Sequence, residues 1–285
     1  MNEGRCRIFR LALSLLGLLL ATACGGGGGS SSVSNLVANN LRIGGVATIS
    51  AQGRNLLAAK MTVDGPCTGL TRSGASTDEV LQYSCSVQGL GLLRVTVLDA
   101  SEGSIGDLAA QILAPRVSVN TTLGNFIVDL DFERAPKTVL NFLVYVNANF
   151  YASTVIDTVL AGRGFIGGYY APNVSTGLLT AKTSTRPGVA LESNNGLEHV
   201  RGAVGLMREA AADSGKFRWF VDTAANPDLN YVDSANPGFV VFGHVSSGMD
   251  VVDAISAVEV RPDLVLGLGA LPVNTVSITS IVQIR

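Results

Sequence analysis

Between Val117 and Val146 the spacing of apolar residues switches from every second residue to a helical repeat, and this switch restricts the fold more than any other feature of the chain. Val117, Val119 and Thr121 alternate. Leu123-Gly124-Asn125 is a turn signal, and Phe126, Val128 and Leu130 then share one face. That pattern predicts a β-hairpin. Pro136 follows at a position where a helix tolerates its missing N–H. Val139, Phe142, Leu143 and Val146 recur at helical spacing and form one buried stripe. Long helices are disfavoured elsewhere by 33 glycines. Frequent Val, Thr, Ile and Ser favour a mostly β protein.

Ala114-Pro115 marks a boundary, and upstream of it lies a second unit spanning 36–114. Arg42 to Gln52 alternates loosely after the turn-prone pair Asn39-Asn40. Lys60 to Val63 leads into Asp64-Gly65-Pro66, Val80 to Val87 surrounds Cys85, and Leu92 to Leu98 ends at Asp99. Several short strands separated by turns predict a small immunoglobulin-like β-sandwich. It carries no signature of function; spacer and partner-binding module are both open.

The chain starts as a targeting segment. Arg5, Arg7 and Arg10 precede an apolar run, Leu11 to Leu20, that is short for a membrane span. Ala21, Thr22 and Ala23 then lead to Cys24, in an arrangement that resembles a bacterial lipoprotein signal. It implies a signal peptide over 1–23, acylation of Cys24 and anchoring to a membrane of the cell envelope, facing the periplasm or the cell surface. Residues 24–35, with Gly25 to Gly29 and Ser30 to Ser32, read as a tether.

Only Cys67 and Cys85 remain in the folded part. An even pair in an oxidising compartment predicts one disulfide closing a loop of about 18 residues. With no CxxC spacing and only two histidines, the sequence points to no metal site and no cofactor. Charged residues make up 15% of the chain and the net charge is −2, so nucleic acid is not an expected partner. Gly162 to Gly167 fits GxGxxG, but Tyr169, Tyr170 and Pro172 follow where a dinucleotide site needs a helix. His199 and His244 read as loop or surface residues, Trp219 as core, and Gly267-Leu-Gly-Ala270 as a loop.

The C-terminal part carries a family resemblance. Thr122-Leu-Gly-Asn-Phe-Ile-Val-Asp-Leu130, Ala135-Pro-Lys-Thr-Val-Leu-Asn-Phe142 and Phe150-Tyr151 resemble the opening of a cyclophilin-type peptidyl-prolyl isomerase. Gly167-Gly168, Leu191-Glu192, Val200-Arg-Gly-Ala-Val-Gly-Leu-Met207 and Trp219-Phe220-Val221 continue it. Asn226-Pro-Asp-Leu229, Phe239-Val-Val-Phe-Gly-His-Val245, Gly248-Met-Asp-Val-Val-Asp-Ala-Ile255 and the closing Pro272 to Ile284 complete it. The resemblance covers 117–285 and implies a closed eight-stranded antiparallel barrel with two capping helices, in a domain spanning 116–285. It also implies an outer groove for proline-containing peptides or exported proteins.

The family's catalytic arginine falls on Thr158 and the preceding histidine on Asp157. The pocket phenylalanine and methionine fall on Arg163 and Gly164, and the two glutamines on Ile166 and Arg218. The backbone-binding pair falls on Arg208-Glu209. Phe220 and Leu229 keep apolar walls, Asp228 precedes Leu229, and Phe239 stands at the usual histidine. The resemblance therefore implies an isomerase with a degenerate site, or a non-catalytic peptide-binding lipoprotein on the same barrel. Two outcomes are open for the new arginines. Arg218 or Arg163 reaches the space left at Thr158, or they pair with Asp157, Glu209 or Asp228 as ordinary surface charge.

Overall fold

The computed structural model describes residues 30–173, 175–176, 178–263 and 268–285. The segment 1–23, Cys24 and Gly25 to Gly29 lie outside the described residues.

Seven strands form the first unit: β1 (Ser32–Asn39), β2 (Val46–Arg54), β3 (Lys60–Asp64), β4 (Cys67–Arg72), β5 (Val80–Val87), β6 (Gly91–Leu98) and β7 (Ser104–Ile112). They make a four-stranded sheet in the order β1-β2-β5-β4 and a three-stranded sheet in the order β3-β6-β7. This is the strand arrangement of a seven-stranded immunoglobulin-type sandwich. Alternation explains it: Leu81, Tyr83, Cys85 and Val87 on β5 are buried, as are Leu93, Val95 and Val97 on β6. The disulfide joins Cys67 on β4 to Cys85 on β5. These strands are neighbours in one sheet, so the bond does not link the two sheets. β1 begins at Ser32, inside the stretch read as tether.

The second unit starts with the expected hairpin, β8 (Arg116–Thr121) and β9 (Gly124–Leu130), and helix α1 (Pro136–Asn147). α1 buries Val139, Phe142, Leu143 and Val146 and has no side-chain cap of its own, because Ala135 stands at the N-cap. Glu192 supplies one from a distant loop. Its carboxylate accepts from the Lys137 and Thr138 backbone N–H groups at 3.1 and 2.8 Å, and an anion suits a helix N-terminus.

Next come β10 (Thr154–Leu160), β11 (Gly164–Gly167), the short pair β12 (Tyr170–Pro172) and β13 (Leu179–Ala181), β14 (Ala203–Leu206), β15 (Trp219–Asp222) and β16 (Val240–Ser247). Helix α2 (Met249–Ser256), the pair β17 (Val260–Asp263) and β18 (Leu268–Pro272), and β19 (Ser277–Gln283) end the chain. The order β10-β11-β15-β14-β16-β9-β8-β19 closes into an eight-stranded antiparallel barrel. Leu268 to Ala270 thus belong to a strand rather than a loop, and Gly267 lies outside the described residues. α1 packs against β16 and β19, and α2 against β9, β10 and β11. Trp219 is core: its ring meets Phe126 and Phe165 at 6.4 and 6.3 Å, so side chains fill the barrel interior.

The two units touch. Arg42 Nη1 donates to Gln283 O at 3.0 Å, Gln283 Nε2 donates to Ile43 O at 3.3 Å, and Arg285 Nε donates to Ala114 O at 2.8 Å.

Candidate functional site

Alternation along four barrel strands assembles an outward-facing row. Thr158 on β10 pairs with Ile166 on β11, Ile166 pairs with Phe220 on β15, and Phe220 pairs with Gly205 on β14. Gly205 has to lack a side chain. A Cβ there would sit 2.2 Å from Phe220 Cζ, so only glycine lets the ring lie across β14. Phe220 then forms the floor of an apolar cavity of about 150 Å³, with Ile166, Met207, Leu229 and Phe239 among its walls. Phe239 meets Phe220 edge to face at 5.9 Å.

Asp157 occupies the irregularity in β10–β11 pairing between Ile156 and Thr158. A bulge of this kind re-aims a side chain, and here the Asp157 carboxylate is fully buried. Arg218, two residues before Phe220 on the same face, pairs with it. The same Arg218 Nη2 reaches Thr158 Oγ1 at 3.4 Å, and Thr158 Oγ1 donates to Asp157 Oδ1 at 3.0 Å. The guanidinium also lies 5.4 Å from the centroid of the Tyr169 ring. Its Nε is buried without an acceptor among the described residues. Burial pushes the Asp157 carboxyl above the ordinary aspartate range, and the Arg218 charge and hydrogen bond pull partly against that shift.

Arg163 takes a different partner. Its Nη2 meets Asp228 Oδ2 at 2.6 Å with both side chains largely exposed, and this contact holds the Asp228 carboxyl below its usual range. Arg208 donates through Nε to Gly238 O at 2.8 Å and stacks over Phe239 at 5.1 Å. Glu209 does not line the apolar cavity; Met207 does, while Arg208 and Glu209 border a second groove beside it. Met207 is thus an apolar wall residue that the sequence reading had not singled out.

Behind the cavity lies a network that the sequence reading missed. His199 is in a loop as expected, but it is buried, and His244 is exposed on β16. His199 Nδ1 meets Asp222 Oδ2 at 2.8 Å and Nε2 meets Phe239 O at 3.2 Å. Asn226 Nδ2 donates to Asp222 Oδ1 at 2.6 Å. The imidazole stacks on Phe220 at 5.4 Å. One buried histidine thus ties the loop carrying Phe239 to the strand carrying Phe220. Residues 199, 222 and 239 are too far apart in the chain for spacing to have revealed this contact.

Residues 116–282 match the family described as cyclophilin type peptidyl-prolyl cis-trans isomerase/CLD. The chain belongs to the cyclophilin-type isomerase family. The match begins at the first residue of β8, leaving the sandwich outside it. Among the relatives of this cyclophilin barrel is peptidyl-prolyl cis-trans isomerase A of Dickeya dadantii. It is 33% identical over 165 residues, covering 58% of this chain and 82% of the relative. Peptidyl-prolyl cis-trans isomerase B of Escherichia coli is 32% identical over 144 residues, or 50% of this chain and 84% of that protein. A crystal structure of a Cryptosporidium parvum cyclophilin aligns with a TM-score of 0.47 at 18% identity, over 60% of this chain and 98% of that one.

Proposed function

We propose that this cyclophilin isomerises X–Pro bonds in exported proteins, and that Arg218 serves as the cationic donor in place of an arginine at position 158. An X–Pro amide turns slowly because resonance gives its C–N bond partial double-bond character, with a barrier of about 18–20 kcal/mol. Lowering it requires a pocket for the ring and a fixed donor beside the twisting amide; no bond to carbon is made or broken. Phe220, Met207, Leu229 and Phe239 suit the first task. A guanidinium offers several N–H groups in a rigid fork and suits the second. The observation carrying the proposal is the 3.4 Å approach of Arg218 Nη2 to Thr158 Oγ1. On the reading that Thr158 stands at the family arginine's position, this contact supports a cation beside it, with Asp157 holding that cation in one orientation.

Export is supported by the residue pattern up to Cys24 and by the Cys67–Cys85 disulfide, a bond that persists in oxidising compartments. In this reading lipid on Cys24 holds the protein at the cell envelope, and a Cys24→Ser variant expressed in bacteria leaves the membrane fraction. The activity is tested with the chain from residue 25 onward and a prolyl peptide assayed for cis–trans exchange. A measurable rate that falls in Arg218→Gln supports the proposal. Binding without any rate would assign the degenerate site to a peptide-binding lipoprotein instead.

A further inference from the structure

The groove next to the apolar cavity has a charge pattern of its own. Its volume is about 570 Å³, and Met207 lines both cavities, so the two adjoin. Tyr169, Lys182, Arg208, Lys216 and Arg218 line it together with Glu209. Arg218 is already engaged by Asp157. Among the described residues Arg208 donates only to the carbonyls of Gly238, Glu209 and Ala210, and no carboxylate pairs with it there. Lys182 Nζ likewise donates to a carbonyl, that of Phe150, and rests 4.1 Å from the centroid of that ring. The Lys216 ammonium makes no hydrogen bond or ion pair among the described residues, and only the backbone carbonyl of that residue is engaged, by Asn141 Nδ2. Three cations therefore face a groove in which Glu209 is the only carboxylate among the described lining residues.

We infer that this groove selects prolyl segments carrying an aspartate or glutamate within two residues of the proline. The inference rests on the proposed function, since it needs a proline ring seated on Phe220. Geometry sets the reach. An extended chain advances roughly 3.3–3.6 Å per residue, so a side chain one or two positions from a proline in the first cavity passes Met207 into the second. The Coulomb term is only partly screened between low-dielectric walls. Arg208 links the two sites, because the guanidinium that helps to make the groove positive also covers Phe239.

The test uses the full chain and fluorescent prolyl peptides that differ only by Glu, Gln or Lys at one or two positions from the proline, on either side. Binding is followed by anisotropy at low and moderate salt. At its best position the Glu peptide should bind about fivefold more tightly than the Gln peptide, the scale of one favourable, partly solvated ion pair. The Lys peptide should bind more weakly than both, and added salt should narrow the spread. Lys216→Glu, at a side chain without described partners, should shift the preference toward the Lys peptide. Equal affinities for all three peptides at every position would overturn this inference alone. Failure of every prolyl peptide to bind would overturn the proposed function along with it.

Discussion

Replacing Arg218 by glutamine removes one partner of a pair whose other member has nowhere to go. The Asp157 side chain has no exposed surface, while that of Arg218 is 27% exposed. Breaking a buried ion pair by removing one member costs about 3–5 kcal/mol, because the remaining charge is left without compensation. The lower end applies here: Arg218 is partly solvated, and burial already favours the protonated form of Asp157, which can become neutral. A loss of ~3 kcal/mol lowers the melting temperature of a domain this size by roughly 6–12 °C. Trp219, the next residue and the only tryptophan, reports it by fluorescence. The double variant Asp157→Asn/Arg218→Gln removes the stranded charge and should regain most of that stability. It should not regain turnover, because the donor is still absent; loss of one preorganised donor lowers the rate about 10²- to 10³-fold. A double variant that recovers both stability and turnover would make Arg218 purely structural and refute the reasoning, as would a single variant that loses neither.

Other consequences follow from the same geometry. Gly205→Ala drives a methyl group into the Phe220 ring, which must shift from its place in the cavity; overpacking of this kind costs about 1–3 kcal/mol. Prolyl-peptide affinity should fall at least about tenfold while the far-UV circular dichroism spectrum stays the same, and unchanged affinity would show that Phe220 is not the floor of the site. The raised Asp157 carboxyl has a definite sign in the pH dependence of stability. The native state holds this proton more tightly than the unfolded state, so the contribution is complete below the unfolded value and is lost as pH rises through the folded one. Urea unfolding of wild type and Asp157→Asn, compared from roughly pH 4 upward, should show this decline only in the wild type; parallel curves would contradict it. Removing the disulfide with Cys67→Ser/Cys85→Ser opens a closed loop with a sequence separation of 18 and should cost about 3 kcal/mol, read as a lower thermal midpoint of the β signal by circular dichroism. An unmoved midpoint would mean that the sandwich does not depend on the bond.

Wherever one element dictates its own pattern, the sequence was legible. The β8–β9 hairpin and α1 occur where period-two and helical apolar spacing place them, because each needs only its own buried face. Ordered local motifs carried the barrel, and alternation carried the sandwich. Leu268 to Ala270 was misread because glycine-rich local preference suggests a loop, and only pairing with β17 makes it a strand.

By itself, then, the chain determined its local elements, the barrel family and the absence of an arginine at position 158. Tertiary structure alone decided what stands beside that threonine. Arg163 and Arg218 look alike in sequence, but the first extends to exposed Asp228 and the second folds over Thr158, drawn by a carboxylate that a bulge buries. Likewise the His199–Asp222–Phe239 contacts, the Met207 wall and the Glu192 cap join residues brought together by barrel closure and loop packing. Periodicity along a chain records which way a side chain faces; which distant groups meet it depends on strand register and loop path, and these are settled only when the whole sheet closes.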